Sequence, residues 1–274
     1  MRVLRSPAKV NLGLWVTGKR ADGYHDIVTV FHTVDFHDRI FIKRSHSLKI
    51  KTSSPLIPEG EENIVYKALK RFEEWTGVSP EVEVFIEKNI PAGAGLGGGS
   101  SNAAVVLKEV NSMYGEILSE KELSELASTI GADVPFFLKG GLAVAEGIGD
   151  KLRFLDKKIE REIFIIYPAV HVSTKEIYSK VTPDILTKKE DLHIIDSLLD
   201  DFEYFLENIE NTLGEIALES YPQMREVYNT LEYLGYKPFV SGSGSSIFAF
   251  GKPEAEIEKI CQVKGWKLIK TVLR

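Results

Sequence analysis

The sequence predicts an α+β protein in two domains, a β-α domain over residues 1–155 and a ferredoxin-like domain with extra helices over 156–274. Three observations carry that prediction. Residues 2–54 are rich in β-forming residues and turn signals. A glycine-dense loop, "PAGAGLGGGSS" at 91–101, joins a strand pattern to an apolar helical one. Beyond a charged, apolar-poor stretch near 155–161 the order becomes β-α-β-β-α-β, the split ferredoxin-like pattern, with an enlarged first helical section. A length of 274 residues suits two modest domains, and 43% hydrophobic with 27% charged residues is an ordinary globular balance.

Each element has its own signal. "VNLGLWV" alternates, "ADGYH" carries an Asp-Gly turn, and "IVTVFHTVDF" and "RIFIKR" are dense in β-branched and aromatic residues. Helical spacing begins at Asn63, with Ile64, Ala68, Leu69, Phe72 and Trp75 following. "VEVFIE" at 82–87 reads as a strand that feeds the glycine loop, and residues 102–113 read as a tightly packed helix. Ser119 with Glu122 has the spacing of a capping box for the next helix, which ends before Gly131. "GLAVAEGIGDKLRFL" returns to extended structure. In the second half, strand "IFIIYP" precedes helices through Leu234, strands "KPFVSG" and "SSIFAFG", a helix over 254–263 and strand "KLIKTVL".

Composition excludes several function classes. A net charge of −6 supplies no basic field for a nucleic-acid backbone, while a small phosphorylated ligand needs only a local cluster of donors. Cys261 is the single cysteine, which rules out an internal disulfide framework and a cysteine zinc site. The basic start "MRVLRSPAKVNLGLWV" is interrupted by Pro7, Lys9 and Asn11 and does not read as a signal peptide, and no run of about 18 apolar residues suits a membrane span. These features fit a cytoplasmic protein without a membrane partner. The charge runs "KKIERE" and "KKED" read as solvated surface. The six histidines lack any metal-site spacing.

The glycine loop is the strongest local signal. Gly93-x-Gly95-x-x-Gly98 formally meets a dinucleotide fingerprint, yet the expected second parallel strand is missing, because one helix leads into another. The Walker pattern is absent, as are the H-R-D and D-F-G motifs of protein kinases. The physics still favours an anion. Without Cβ atoms, the N–H groups of residues 95–99 can converge on phosphate oxygens, and Ser100 and Ser101 stand where a helix N-terminus adds partial positive charge. One or two glycines would serve a plain strand-to-helix turn.

The loop, "SPAKVNLGL" at 6–14 and "SGSGSSIFAF" at 241–250 resemble, in order, the three motifs of the GHMP small-molecule kinases. That resemblance spans nearly the whole chain. It implies the two-domain GHMP kinase fold, ATP as phosphoryl donor with Mg²⁺, and an active site in the cleft between the halves. The stretches "GLGGGSSNAA", "DGYH", "GADVPFF" and "AEGIGD" further resemble the branch that phosphorylates the cytidine diphosphate ester of methylerythritol.

The resemblance also implies roles. Pro91, Ala92, Gly93, Ala94, Gly95, Leu96, Gly97, Gly98, Gly99, Ser100 and Ser101 would hold the ATP phosphates, Ser100 or Ser101 lending an oxygen to the metal. Asp133 would take the hydroxyl proton, although by sequence alone it reads equally well as a helix-capping residue. Lys9 would be its partner. Side chains alternate along a strand, so Lys9 and Asn11 share a face. An ammonium about 4 Å from the reacting oxygen is worth roughly 4 kcal/mol at an effective dielectric of about 20. Asn11 would bind substrate, and Gly242 and Ser243 would support substrate or phosphate. Tyr24 and Tyr178 would stack on the cytosine while His25 reads its polar edge; otherwise Tyr178 is a core residue of a helix starting near Ser173. Kinases of mevalonate, homoserine or sugars are the nearest alternative, and a non-catalytic nucleotide-binding domain is a more distant one.

Overall fold

The structure is a computed structural model, and it describes the chain apart from residues 189–191 and 193 and the side chains of 196, 198 and 199. The charge run at 188–191 therefore lies, beyond Lys188, outside the described residues. In chain order the first elements are β1 (Arg2–Lys19), β2 (His25–Arg44), β3 (Lys49–Thr52), α1 (Ile64–Thr76), β4 (Val82–Glu87), α2 (Gly98–Met113), α3 (Glu120–Ser128), α4 (Val134–Lys139), β5 (Leu142–Gly147) and β6 (Lys151–Leu155). They are followed by β7 (Glu162–Tyr167), α5 (Thr174–Ser179), a 3₁₀ turn (Pro183–Ile185), α6 (Ile194–Asp200), α7 (Phe202–Asn208), α8 (Thr212–Ser220), α9 (Pro222–Tyr233), β8 (Pro238–Val240), β9 (Ile247–Phe250), α10 (Ala255–Lys264) and β10 (Lys267–Val272).

The chain forms two compact units that are discontinuous in sequence: Met1–Ala8, Phe36–Ala92 and Gly97–Gly140 make the first, and Lys9–Asp35, Gly93–Leu96 and Gly141–Arg274 the second. Both β1 and β2 contribute residues to each unit, which is why the units do not follow a single cut of the chain.

In the first unit, the latter part of β2 pairs antiparallel with β4, Ile40 opposite Ile86 and Ile42 opposite Val84. β3 runs parallel to β4, so α1 is the crossover that returns the chain to the same sheet. Alternation decides the faces: Val82, Val84 and Ile86 are buried, while Glu83, Phe85 and Glu87 turn away. Asn63 caps α1 by accepting from the Val65 N–H at 2.8 Å, and Val65, Ala68, Leu69 and Phe72 form its buried stripe. Ser119 and Glu122 make the expected capping box at α3. α2 starts at Gly98, four residues before the expected start, because the left-handed φ of 69° at Gly97 ends the loop abruptly and lets the helix begin at once. α4 was not foreseen. Its Pro135 reads as a break in sequence, yet in the first turn its missing N–H leaves no helical bond unmade.

In the second unit, the early part of β2 pairs antiparallel with β5, and β5 with β6. The remaining strands form a sheet in the order β10-β7-β9-β8, the antiparallel arrangement of a ferredoxin-like domain. Its core holds Phe164, Ile166, Ile177, Met224, Val227, Leu231, Ile247 and Ala249, drawn from the sheet and the helices on it. Burying such side chains stabilises by about 1.5–3 kcal/mol each.

Candidate active site

Around Lys9 the second unit is stitched together by short polar bonds. Lys9 and Asn11 do share a face, and the Lys9 Nζ donates to Asn11 Oδ1 at 2.6 Å. Both are buried, and the ammonium lies over the Phe31 ring at 5.1 Å from its centre. Asn11 is itself fixed, its Nδ2 donating to Thr29 Oγ1 at 2.8 Å while that hydroxyl donates to the Gly13 carbonyl at 2.7 Å. The Lys9 N–H binds the Leu96 carbonyl at 3.0 Å, so the strand that presents the ammonium also holds the middle of the glycine loop.

Residues 241–246 complete this cluster. Ser241 Oγ donates to the Gly95 carbonyl at 3.0 Å and accepts from the Asn11 N–H at 3.3 Å. The Ser246 N–H reaches the Ala94 carbonyl at 3.1 Å, Ser245 Oγ the Val170 carbonyl at 2.6 Å, and the Ser243 and Thr174 hydroxyls stand 3.0 Å apart. At Gly242, with φ 61°, a Cβ would lie 3.2 Å from Asn11 Oδ1 and 3.7 Å from Lys9 Nζ. Glycine there keeps the approach to that pair open.

The glycines of the loop serve different ends. At Gly95 a Cβ would stand 2.3 Å from the Ser241 carbonyl oxygen and 2.7 Å from that of Gly244, so packing alone demands glycine. Gly93, with φ 65°, has His171 Nδ1 only 2.7 Å from where its Cβ would be. In the first unit, a Cβ on Gly98 would meet the Ile90 side chain at 2.9 Å. Gly99 is exposed, lacks a positive φ, and would bring a Cβ only to ordinary contact with Ile64 at 3.6 Å. Among the described residues, no contact requires glycine there.

Pro91 and Ala92 lead into the loop from the first unit, and Gly97 to Ser101 open α2 in the same unit. Ser101 is fully buried and accepts a hydrogen bond from Ser6 Oγ at 2.8 Å, whereas Ser100 is half-buried. Asp133 belongs to the first unit too. It stands at the N-cap of α4, which packs on α2, and its side chain makes no capping bond to that helix.

In the second unit, the turn 20–24 is tightly built. Arg20 clasps the Asp22 carboxylate at 2.8 Å, Asp22 accepts the Tyr24 N–H at 3.1 Å, and Gly23 takes φ 87°. The Arg20 bond and the Tyr24 N–H hold the Asp22 carboxyl below its usual range. This turn leaves Tyr24 61% exposed and buries His25. The His25 ring stacks on Tyr178, centres 5.2 Å apart at 23°, and its Nε2 is buried without a hydrogen-bond partner. Burial, with Lys19 nearby as a lesser cause, keeps the imidazole pKa below its ordinary value. Tyr178 also packs on the core of the unit, as its helical reading expects. Its ring faces His25, an arrangement the sequence did not suggest. Nor did the sequence point to Thr29, His171 or Thr174. Among the described residues, no three His, Cys, Asp or Glu side chains are grouped to hold a metal, and no helix is long and apolar enough to cross a membrane.

Residues 63–141 match the GHMP kinases N terminal domain and residues 191–263 the GHMP kinases C terminal domain. A curated relative from Sulfurihydrogenibium sp. (strain YO3AOP1), 4-diphosphocytidyl-2-C-methyl-D-erythritol kinase, is 55% identical over all of both chains. The chain belongs to that kinase family. A crystal structure of 4-(cytidine 5'-diphospho)-2C-methyl-D-erythritol kinase superposes with a TM-score of 0.81 at 32% identity, covering 99% of each chain. The mevalonate kinase of Methanococcus jannaschii shares the fold alone, with a TM-score of 0.73 at 18% identity over 100% of this chain and 98% of that one.

Proposed function

We propose that this chain transfers the γ-phosphoryl group of ATP to the 2-hydroxyl of 4-diphosphocytidyl-2-C-methyl-D-erythritol, a step of the non-mevalonate route to isoprenoid precursors. The reading is carried by the full-length 55% identity to a kinase of that name. The chemistry needs an acceptor for the hydroxyl proton, positive charge near the phosphates and a fixed line of attack. Asp133 takes the proton of the 2-hydroxyl as that oxygen attacks. Lys9, held by Asn11, stabilises the developing alkoxide. The N–H groups at the start of α2 receive the phosphates, a role supported by the open space at Gly99.

Mg²⁺, when bound with ATP, supplies further neutralisation of phosphate charge. Ser100 is the hydroxyl that fits it, because Ser101 is committed to Ser6 in the interior. Asn11, Gly242 and Ser243 line the approach of the methylerythritol part, and Tyr24, His25 and Tyr178 receive the cytosine. The unpartnered Nε2 of His25 supports that assignment, since a buried ring nitrogen without a partner is costly unless a ligand satisfies it. The domain division at 155/156 follows the end of β6 at Leu155, and the enzyme works in the cytoplasm on a small-molecule substrate. A coupled assay of ADP release tests the reading. Release should require the cytidyl ester and fail with mevalonate or homoserine; release with either of those and none with the ester would overturn it.

A further inference from the structure

Asp38 on β2 has no part in the roles above, yet it is wholly buried and fully engaged in the first unit. Its Oδ1 accepts the N–H groups of Asn89 and Ile90 at 2.7 and 2.8 Å. Its Oδ2 accepts from Lys88 Nζ and, at 2.9 Å, from Asn102 Nδ2. Lys88 Nζ also donates to Asn102 Oδ1 at 3.2 Å. The chain of bonds continues from Asn102 Nδ2 to Ser6 Oγ at 2.8 Å and from Ser6 Oγ to Ser101 Oγ at 2.8 Å. One carboxylate thus holds the residues immediately before Pro91 and the first turn of α2, the two ends of the glycine loop. The Cβ position at Gly98 lies 2.9 Å from the Ile90 side chain and 3.2 Å from Lys88 Nζ, so those ends touch.

A buried ion pair is a poor way to gain stability, because apolar residues of similar volume usually do as well. What it adds is a single geometry. Each oxygen of Asp38 has two defined donors, and Lys88 places an ammonium under the positive end of α2, where only a neighbouring carboxylate makes it tolerable. A backbone cradle for phosphate needs that exactness, since a misplacement of about 1 Å costs on the order of a hundredfold in rate.

We propose that Asp38, through Lys88 and Asn102, is a positioning residue for ATP: it clamps both ends of the glycine loop so that its N–H groups meet the phosphates. This rests on reading the loop as the phosphate cradle. Asp38→Asn keeps the shape but leaves Lys88 without its counter-charge, so a companion variant, Asp38→Asn with Lys88→Met, removes both charges. KM for ATP, KM for the cytidyl ester, kcat and the thermal midpoint are measured for each. Asp38→Asn should raise KM for ATP about tenfold or more, with KM for the ester within about twofold. The double variant should recover the thermal midpoint while KM for ATP stays high.

Equal rises in both KM values, an unchanged KM for ATP in either folded variant, or recovery of KM together with the midpoint would overturn the proposal, since each marks a purely structural role. Calorimetry of ATP with Gly99→Ala separates the layers. If that variant binds ATP as the parent does, the cradle reading and this inference fall together. If it weakens ATP and Asp38→Asn does not, this inference alone falls.

Discussion

At Gly99 a methyl group would meet only the Ile64 side chain, at 3.6 Å, and no positive φ forbids it. Gly99→Ala should therefore leave the fold intact and raise stability by about 0.4–1 kcal/mol through the unfolded chain. Its affinity for ATP should fall about tenfold, a loss of about 1.4 kcal/mol. Calorimetry and a thermal melt read the two effects separately; unchanged affinity would mean that the site does not receive phosphate. Gly97 is a less clean probe, because its φ of 69° makes any side chain strained. Asp133→Asn should fold and bind ATP but lose about 10²–10⁴ in kcat, because an amide matches the carboxylate in shape and cannot take a proton. Near-normal turnover in single-turnover kinetics would remove Asp133 from that role. At this scale the sequence was informative where neighbours are close along the chain. Period two put Lys9 beside Asn11, while the placing of His171 against Gly93 depends on residues 78 positions apart and left no local trace.

Tyr178 shows what an element adds to a residue. Ser173 caps α5 by accepting from the Glu176 N–H at 3.3 Å, which fixes the short helix and with it the ring that stacks on His25. Tyr178→Ala should raise KM for the cytidyl ester by about tenfold, one base stack being worth about 1–3 kcal/mol, and leave KM for ATP nearly unchanged. Damage confined to ATP binding would contradict that placement. Caps and turns were the legible part of the elements: the Ser119–Glu122 box and the Asp-Gly turn at 22–23 stand where their chemistry indicates, while Asn63, read as the start of the helix, is its N-cap. The lengths of β1 and β2 were not legible. Alternation marks only "VNLGLWV", whereas β1 runs over Arg2–Lys19 and buries even its polar residues Lys9 and Asn11.

Over the whole molecule, two buried histidines set a direction for acid sensitivity. Burial keeps the pKa values of His25 and His32 below the ordinary value, so the unfolded chain takes up protons first as pH falls. Their contribution to stability is complete above about pH 6.5 and is lost as pH drops through the folded values. The thermal midpoint should decline as pH falls below about 6.5, and His32→Gln should flatten that decline; a midpoint that rises with acid would contradict the account. The second half's ferredoxin-like order was read correctly because each strand and helix there is locally marked, and the sheet order β10-β7-β9-β8 agrees with it. The interleaving of the two units was invisible, since it depends on which parts of two long strands pack with which helices. On the proposed reading, the whole chain is a kinase built for a cytidine diphosphate ester. The most direct measurement compares kcat/KM for the cytidine ester of methylerythritol, its uridine counterpart and mevalonate under one set of conditions. A site that hydrogen-bonds the cytosine edge should favour the cytidine ester over the uridine one by up to about 10⁴ and should not turn over mevalonate. Equal efficiency with the two nucleotides, or phosphorylation of mevalonate as fast as the cytidine ester, would contradict it.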